Sequence, residues 1–583
     1  MRPSLLFVYG SETGTAEDIA GCLWKEARLL NVPARLYGLD EYDIETLPIE
    51  CMAVFVVATT GQGEIPPNMR KAWTALLRRS LGPDWLQNVH FAVLGLGDSS
   101  YLKFNFASKK VYRRLLQLGG KCLLDIGLAD DQHELGIDGT FIPWKKEFWE
   151  RVRSTHIFEN MKESLDYSSL LPAKYQLLFG DVLPTKQSTS THEFFEVTVT
   201  SNERVTAVDH FQDTRLVSFT YSDFPRTVES VSSYEPGDVL MVQPYNLFES
   251  IQIALDALKY PDDLLDRPIR LVPSDDFVKL PPNWLIGSRP SLRTCFERLF
   301  DLQMVPRKSF FQTLASISSD ADEKEKLLEF VSPEGLDDFL DYTIRSRRTT
   351  AEVLRDFPKT SETIPPERLF DLFTTIRARA FSIASAPSPN LIQILVAKVE
   401  YKSRLSDVRR GLCSSFLSRT VPGDKIFVRI RPGTFKFPKS DVPVICVGPG
   451  TGVAPFRSYL TWRNRRKDAA KSILFFGCRG KRLDFYFENE WNNLPTTQVV
   501  TAFSRDTIGQ KIYVQHLILK HADQVWDIIG GNSGFVFIAG SAGDMPREVG
   551  AALDKIANEH GWAKDSFLSK MEASGRVQYE TWS

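Results

Sequence analysis

Several short runs in this chain combine residue types suited to holding phosphates and flat aromatic rings. Gly10-Ser11-Glu12-Thr13-Gly14-Thr15-Ala16 follows an apolar segment and opens a helical pattern. A helix start presents unpaired N–H groups and the positive end of the helix dipole, so an anion fits there. The hydroxyls of Ser11, Thr13 and Thr15 add donors, and Gly14 lets the backbone curl around the anion. The run has no lysine and no G-x-x-x-x-G-K, which excludes a nucleoside-triphosphate loop. Taken alone it also reads as an ordinary strand-to-helix turn with small capping residues. Two later runs shift that balance: Thr59-Thr60-Gly61-Gln62-Gly63-Glu64, and Leu96-Gly97-Asp98-Ser99-Ser100-Tyr101 with Phe104-Asn105 beyond it. Each follows an apolar segment, so all three can converge on one ligand.

The second half of the chain carries a different set. Arg379-Ala380-Phe381-Ser382 begins a strand-like stretch, where an arginine can pair bidentately with a diphosphate and a serine hydroxyl can reach a ring edge. Gly411-Leu412-Cys413-Ser414-Ser415 opens a helical pattern, a further dipole-assisted place for a diphosphate. Singly, these two also read as strand core and helix cap. Gly448-Pro449-Gly450-Thr451-Gly452-Val453-Ala454-Pro455 follows the apolar run VPVICV and allows close backbone approach to a dinucleotide. Ser504-Arg505 and Lys511-Ile512-Tyr513-Val514-Gln515 gather two cations, hydroxyls and an amide. A dianionic 2′-phosphate needs such groups, whereas a bare ribose hydroxyl calls for an acid, so the pattern argues for NADPH over NADH.

The elements that position these runs follow from hydrophobic patterning. Residues 5–9, 53–58, 91–96 and 121–126 are continuous apolar segments, as in strands of a parallel sheet covered on both faces. Ile19, Leu23, Ala27 and Leu30 lie at helical spacing. Residues 1–150 therefore read as a doubly wound α/β domain, followed by a polar linker at 151–173. Antiparallel strand patterns at 174–245 and 366–438 suggest a barrel, interrupted by a helical insertion at 246–365. Residues 439–583 return to alternating strands and helices. The expected class is thus an α/β multidomain protein.

Composition sets the outer bounds. At 583 residues the chain has room for about four domains. Lys and Arg number 71 against 73 acids, so no bulk positive charge points to nucleic acid. Seven scattered cysteines without a C-x-x-C pair speak against a disulfide framework or a structural metal site. The 5–9 run is too short for a signal segment, and no later stretch reaches about 18 apolar residues, so a cytoplasmic protein without a membrane anchor is expected.

In the order and content of these runs the chain resembles the diflavin reductase family: a flavodoxin-like FMN domain, an FAD-binding barrel with helical insertion, and a ferredoxin-reductase-like NADP-binding domain. The resemblance implies that the first loop holds the FMN phosphate and the next two hold its ring, with Tyr101 stacking on it and Asp131 beside it. It assigns Arg379 to Ser382 and Gly411 to Ser414 to FAD, adds Arg348 as an FAD contact, and brings Arg293 to the cofactor diphosphate. Thr451, Ser504, Arg505 and the 511–515 run take NADPH. Ser382, Glu580 and Trp582 become catalytic, with Trp582 covering the FAD ring until nicotinamide displaces it. Four departures stand out: Thr60 in place of an aromatic, Phe381 in place of tyrosine, Glu580 in place of aspartate, and Ala539 in place of a cysteine beside the flavin. The family passes electrons as hydride from NADPH to FAD, then singly from FMN to an acceptor, with the linker letting the FMN domain swing. The layout most resembles the family's cytosolic branch serving iron–sulfur cluster assembly, whose acceptor is an iron–sulfur protein of the anamorsin type. The flavoprotein subunit of NADPH-sulfite reductase, or a reductase for a soluble haem acceptor, is the alternative. Asp130, Asp131, Glu134 and Asp138 are expected to steer the acceptor.

Overall fold

The computed structural model describes residues 3–582 apart from 62, 102, 168, 181–193, 222–233, 276–277, 440, 507–510, 532–533 and 564–565. The chain forms two compact units, one of residues 1–189 with 248–377, the other of 190–247 with 378–583.

In the first unit, apolar runs with no alternation become strands buried on both faces. Leu5–Gly10, Met52–Ala58 and His90–Gly97 form the centre of a parallel sheet, with Ala34–Gly38 beyond Leu5–Gly10. Strand order reverses at Leu5–Gly10, the kind of switch point outside which doubly wound sheets bind ligands. The helix Thr15–Leu29 buries Ile19, Leu23 and Ala27 against one face. The expected strand at 121–126 is broken. It survives as the exposed pair Lys121–Cys122, and pairing with His90–Gly97 resumes at Gly127–Asp130. Gly127 permits the second contact, because a Cβ there would stand 2.6 Å from Leu94 Cδ1 and 2.8 Å from Trp144 Cδ1.

The expected boundaries shift in three places. The helix Asp138–Ser154 runs past residue 150. The strand Tyr175–Phe179, assigned from sequence to the barrel, pairs instead with Ile269–Pro273 of the helical insertion. The insertion's unit also continues to residue 377 rather than 365. Its core is a cluster of phenylalanines, with Phe296, Phe300 and Phe311 at most 1% exposed and in edge-to-face contact with Phe370, Phe373, Phe330 and Phe339. Cutting one such ring back to alanine costs about 3–5 kcal/mol. The linker is anchored at several points: Tyr167 donates to the buried Glu26 at 2.7 Å, Arg368 donates to the Leu171 carbonyl at 2.8 Å, and the Lys174 N–H donates to Asp371 at 3.1 Å.

Among its described residues the second unit has two large sheets, beside the small antiparallel pair of Glu400–Lys402 with Val408–Arg410. One is antiparallel and six-stranded, with Arg379–Ser382, Val239–Val242, Lys425–Arg431, Phe195–Arg204, Thr214–Thr220 and Ile392–Ala397 side by side in that order. The expected closed barrel is not formed by continuous ladders. The two end strands meet only through the isolated bridge between Ile383 and Ile394, because Arg379–Ser382 ends one residue earlier. The other sheet is parallel: Thr497–Phe503, Ser472–Cys478, Val444–Val447, Phe535–Ser541 and Val577–Trp582. Among the described residues no helix is long and apolar enough to cross a membrane.

Candidate functional site

All three glycine- and hydroxyl-rich runs of the first unit sit at the carboxyl ends of neighbouring parallel strands. Gly10 ends the first strand, and a Cβ there would stand 2.1 Å from Met69 Sδ, so only glycine fits without repacking. Gly14 has φ +95°, a conformation glycine adopts without strain, and it caps the helix that starts at Thr15. The Gly14 N–H donates to Ser11 Oγ at 2.9 Å, and the Ser11 N–H donates to Asn68 Oδ1 at 2.7 Å. Asn68 thus fixes the loop from 57 positions away, a role no local pattern reveals. Thr13 is exposed, whereas Ala16 is buried beneath the turn. The cradle at the start of a 15-residue helix, with Thr13 and Thr15 at its rim, fits a phosphate monoester. Glu12 stands in the same turn, partly exposed.

The second loop is a tight hairpin in which Thr60 and Glu64 exchange backbone hydrogen bonds at 3.2 and 2.8 Å around Gly61 (φ +47°). Gln62 lies outside the described residues. Thr59 Oγ1 accepts from the Ala107 N–H at 3.3 Å, which ties this hairpin to the helix after the third loop. The third loop leaves the strand at Leu96 and Gly97, and Asp130 braces it. Its carboxylate accepts from the Ser99 and Gln132 N–H groups at 2.9 and 3.0 Å. Burial alone raises the Asp130 pKa, but these hydrogen bonds outweigh that and hold it below the usual carboxylate range. Asp98 Oδ1 accepts from the Ser100 N–H at 2.8 Å and shapes the turn that presents the half-buried ring of Tyr101.

Burial distinguishes two groups of sequence-predicted residues here. Asn105 is fully buried at φ +53°, and its amide donates to the Ala129 carbonyl at 2.9 Å. Its side chain braces the loop from beneath, while Phe104 beside it remains half-buried. The four-acid patch also shrinks. Asp130 is spent on the loop, and Asp138 is half-buried at a helix start, leaving Asp131 and Glu134 exposed. Partial burial and the nearby Asp98 raise the Asp131 pKa, against the pull of Arg347 and Arg307.

Arg348 and Arg293 both belong to the first unit and both are engaged within the insertion. The Arg348 guanidinium lies 3.9 Å over the Tyr342 ring, 3.0 Å from Asp356, and donates to the Tyr342 carbonyl at 3.0 Å. Arg293 is gripped by Asp266 at 2.6 Å and Asp262 at 2.7 Å, and the hydrogen bonds it donates to these acids raise its pKa.

In the second unit, Arg379–Ser382 pairs with Val239–Val242, so that Phe381 stands opposite Leu240 and Ser382 opposite Val239. Arg379 and Ala380 are exposed. Arg379 is close enough to the helix Leu412–Ser418 to act on Cys413, whose thiol burial pushes up to about 12 against that guanidinium's pull. A cation beside the backbone turn Gly411-Leu412-Cys413-Ser414 fits a diphosphate. Ser414 Oγ itself is committed, accepting from the Val399 N–H at 3.0 Å. Ser382 Oγ donates to Glu580 Oε1 at 2.5 Å, a pairing across 198 positions. The last strand, Val577–Trp582, makes that possible by adding in parallel to Phe535–Ser541, with Glu580 beside the buried Ala539. Trp582 is held in register, since the Ala542 N–H donates to its carbonyl at 2.8 Å, yet 38% of its surface remains exposed.

The glycine loop after Val444–Val447 is pressed onto that same strand. A Cβ at Gly452 would stand 2.3 Å from the Ala539 carbonyl oxygen, and Gly450 has φ +56°. Thr451 lies between them in a short 3-10 turn leading to the helix Ala454–Arg465. Ser504 and Arg505 follow the strand Thr497–Phe503, and their N–H groups donate to the carbonyls of Cys478 and Arg479. Lys511, Arg505 and Tyr513 are exposed. Ile512 packs toward the core, Val514 is buried as the first residue of the next helix, and Gln515 donates to Glu548.

Comparison with known proteins agrees with this arrangement. A flavodoxin family model matches residues 7–144, an FAD binding domain model 187–416, and an oxidoreductase NAD-binding domain model 446–549. The chain is 43% identical to NADPH-dependent diflavin oxidoreductase 1 of Xenopus laevis, covering all of both chains. It is 41% identical to the protein of that name from Bos taurus over 99% of each, and 33% identical to that of Schizosaccharomyces pombe over all of both. Its cofactors are FMN, FAD and NADPH. The chain belongs to the NADPH-dependent diflavin oxidoreductase family, and it is an oxidoreductase of that kind.

Proposed function

We propose that this protein draws electrons from NADPH, passes them through FAD and then FMN, and delivers them to a [2Fe–2S] protein of the anamorsin type in cytosolic iron–sulfur cluster assembly. When bound, NADPH supplies an electron pair as hydride and the flavins let that pair leave one electron at a time. Everything else is the work of the polypeptide. Ser11, Thr13, Thr15 and the N–H groups that open the helix at Thr15 hold the FMN phosphate, and Tyr101 lies against the ring. Arg379 and the turn at Gly411 hold the FAD diphosphate, and Phe381 packs on its ring. Arg505, Lys511, Ser504, Tyr513 and Gln515 select the 2′-phosphate, while Thr451 meets the dinucleotide backbone.

The observation that carries the reading is the hydrogen bond from Ser382 to Glu580. The carboxylate keeps the hydroxyl proton at a fixed place, so Ser382 Oγ would meet the edge of a bound flavin already oriented. Trp582, two residues on, would shield that edge from water and give way to nicotinamide. On the acceptor side, exposed Asp131 and Glu134 next to the Tyr101 loop favour a partner with a basic docking face. The test is anaerobic: NADPH and holoprotein are mixed with a purified [2Fe–2S] acceptor, a sirohaem protein or a soluble haem protein in turn. Preferential bleaching of the [2Fe–2S] spectrum is expected. Faster reduction of either haem acceptor would reject the assignment.

A further inference from the structure

A cleft of about 670 Å³ lies in the first unit, and none of its lining residues belongs to the loops assigned to FMN, FAD or NADPH. Three segments wall it: the helix Thr15–Leu29, the chain around Leu171, and the insertion through its helix Lys308–Ile317 with Arg368 and Asp371. Most charges around it are settled in pairs. Buried Glu26 accepts from Lys145 at 2.5 Å and Trp149 at 2.7 Å, Asp371 takes Arg368 at 3.0 Å, and Arg28 lies 3.8 Å from Asp275. Burial pushes the Cys22 thiol up to about 12, so it adds no negative charge.

Lys25 and Lys174 are left over. Lys25 Nζ donates to Thr313 Oγ1 at 3.3 Å and to the Asp371 carbonyl at 3.5 Å, both uncharged acceptors. Lys174 meets the Asp371 carboxylate through its backbone N–H, not its side chain. Among the described residues neither ammonium group forms an ion pair. Burial, and after it the charge of Lys25, lower the Lys174 pKa to about 8, against the pull of Asp371 and Asp18. Two like charges thus share a partly buried cleft without compensation, which costs stability until an anion arrives.

A single carboxylate would bring one charge. A phosphate monoester brings about −1.5 to −2 and three acceptor oxygens, enough for both ammonium groups at once. Trp24, Leu29, Leu171 and Pro172 add apolar wall for an organic body. We propose that this cleft binds a phosphate monoester with a small apolar body, its phosphate taken by Lys25 and Lys174. Such a ligand touches all three segments together and so favours the arrangement in which they meet.

The test is calorimetric titration of the full-length protein with both flavins bound and NADP+ saturating, so that the cofactor phosphate sites are filled. The probes are phenyl phosphate, benzoate and phenol. Phenyl phosphate is expected to bind once per chain, benzoate more weakly, and phenol not at all. Lys25→Gln and Lys174→Met are each expected to weaken phenyl phosphate roughly tenfold or more with flavin content unchanged. Lys174→Met is also expected to raise the melting temperature of the ligand-free protein, since it removes an uncompensated cation. No heat from phenyl phosphate in the millimolar range, or equal affinity in parent and lysine variants, would overturn the proposal. Benzoate binding more tightly than phenyl phosphate would reject the phosphate class, and phenol matching it would leave only an apolar cleft. A lower melting temperature for Lys174→Met would show that its ammonium group is already compensated, which removes the premise.

Discussion

The two units build their sites in opposite ways. In the first, three loops at adjacent strand ends make the cradle, and short bonds such as Gly14 to Ser11 and Ser100 to Asp98 are joined by bonds from Ser11 to Asn68 across 57 positions and from Ser99 to Asp130 across 31. In the second, the decisive contact joins Ser382 to Glu580 across 198 positions, and it exists only because the last strand adds to the parallel sheet. That cradle needs one sheet with its loops side by side. A distant pair needs two sheets folded together, so it is exposed to any loosening of the terminal strand. The cradle should tolerate global strain and fail on local backbone changes, while the pair should do the reverse.

The sharpest way to break that contrast is at the pair. Ser382→Ala should slow anaerobic reduction of bound FAD by NADPH about 100-fold, measured by stopped-flow absorbance, with FAD content unchanged. Glu580→Gln should cost less, roughly tenfold, since the hydroxyl stays but loses its charged acceptor. Next in size is the exposed cation set. Replacing Arg505 and Lys511 together by alanine should raise the KM for NADPH roughly 10- to 100-fold while that for NADH stays put, because only the former offers a 2′-phosphate. At the cradle, Gly14→Ala forces a side chain to φ +95°, which should cost about 1–2 kcal/mol of FMN affinity in flavin titration and leave FAD retention alone. The smallest effect belongs to the surface. Asp131→Asn with Glu134→Gln should slow acceptor reduction only severalfold at low salt and remove most of its dependence on ionic strength.

Legibility in the sequence follows the same division. The continuous apolar runs gave away the parallel sheets, and the small residues at their ends marked the loops, because a buried parallel strand and a phosphate turn each leave a local signature. Asn68 and Asn105 show where that stops. Asn68 closes the first loop from 57 positions away, and Asn105 braces the third from beneath through the Ala129 carbonyl. Its left-handed φ and full burial turn it into a brace. Tyr175–Phe179 has good strand character but no local feature names its partner, so its pairing with the insertion was invisible. The acids and the tyrosine ring that Arg293 and Arg348 meet within the insertion carry no signal in the sequence either. Glu580 and Trp582 could be placed only through family resemblance, since a chain end has no flanking pattern to read.

The most direct test of the whole account is flavin release from full-length protein and its Thr13→Asp variant, separated by chromatography after saturation with both flavins. FMN and FAD in equal amounts from the parent, with FMN alone lost in the variant, is the predicted result. A parent that yields one kind of flavin, or a variant that sheds FAD instead, would contradict the assignment of one flavin to each unit.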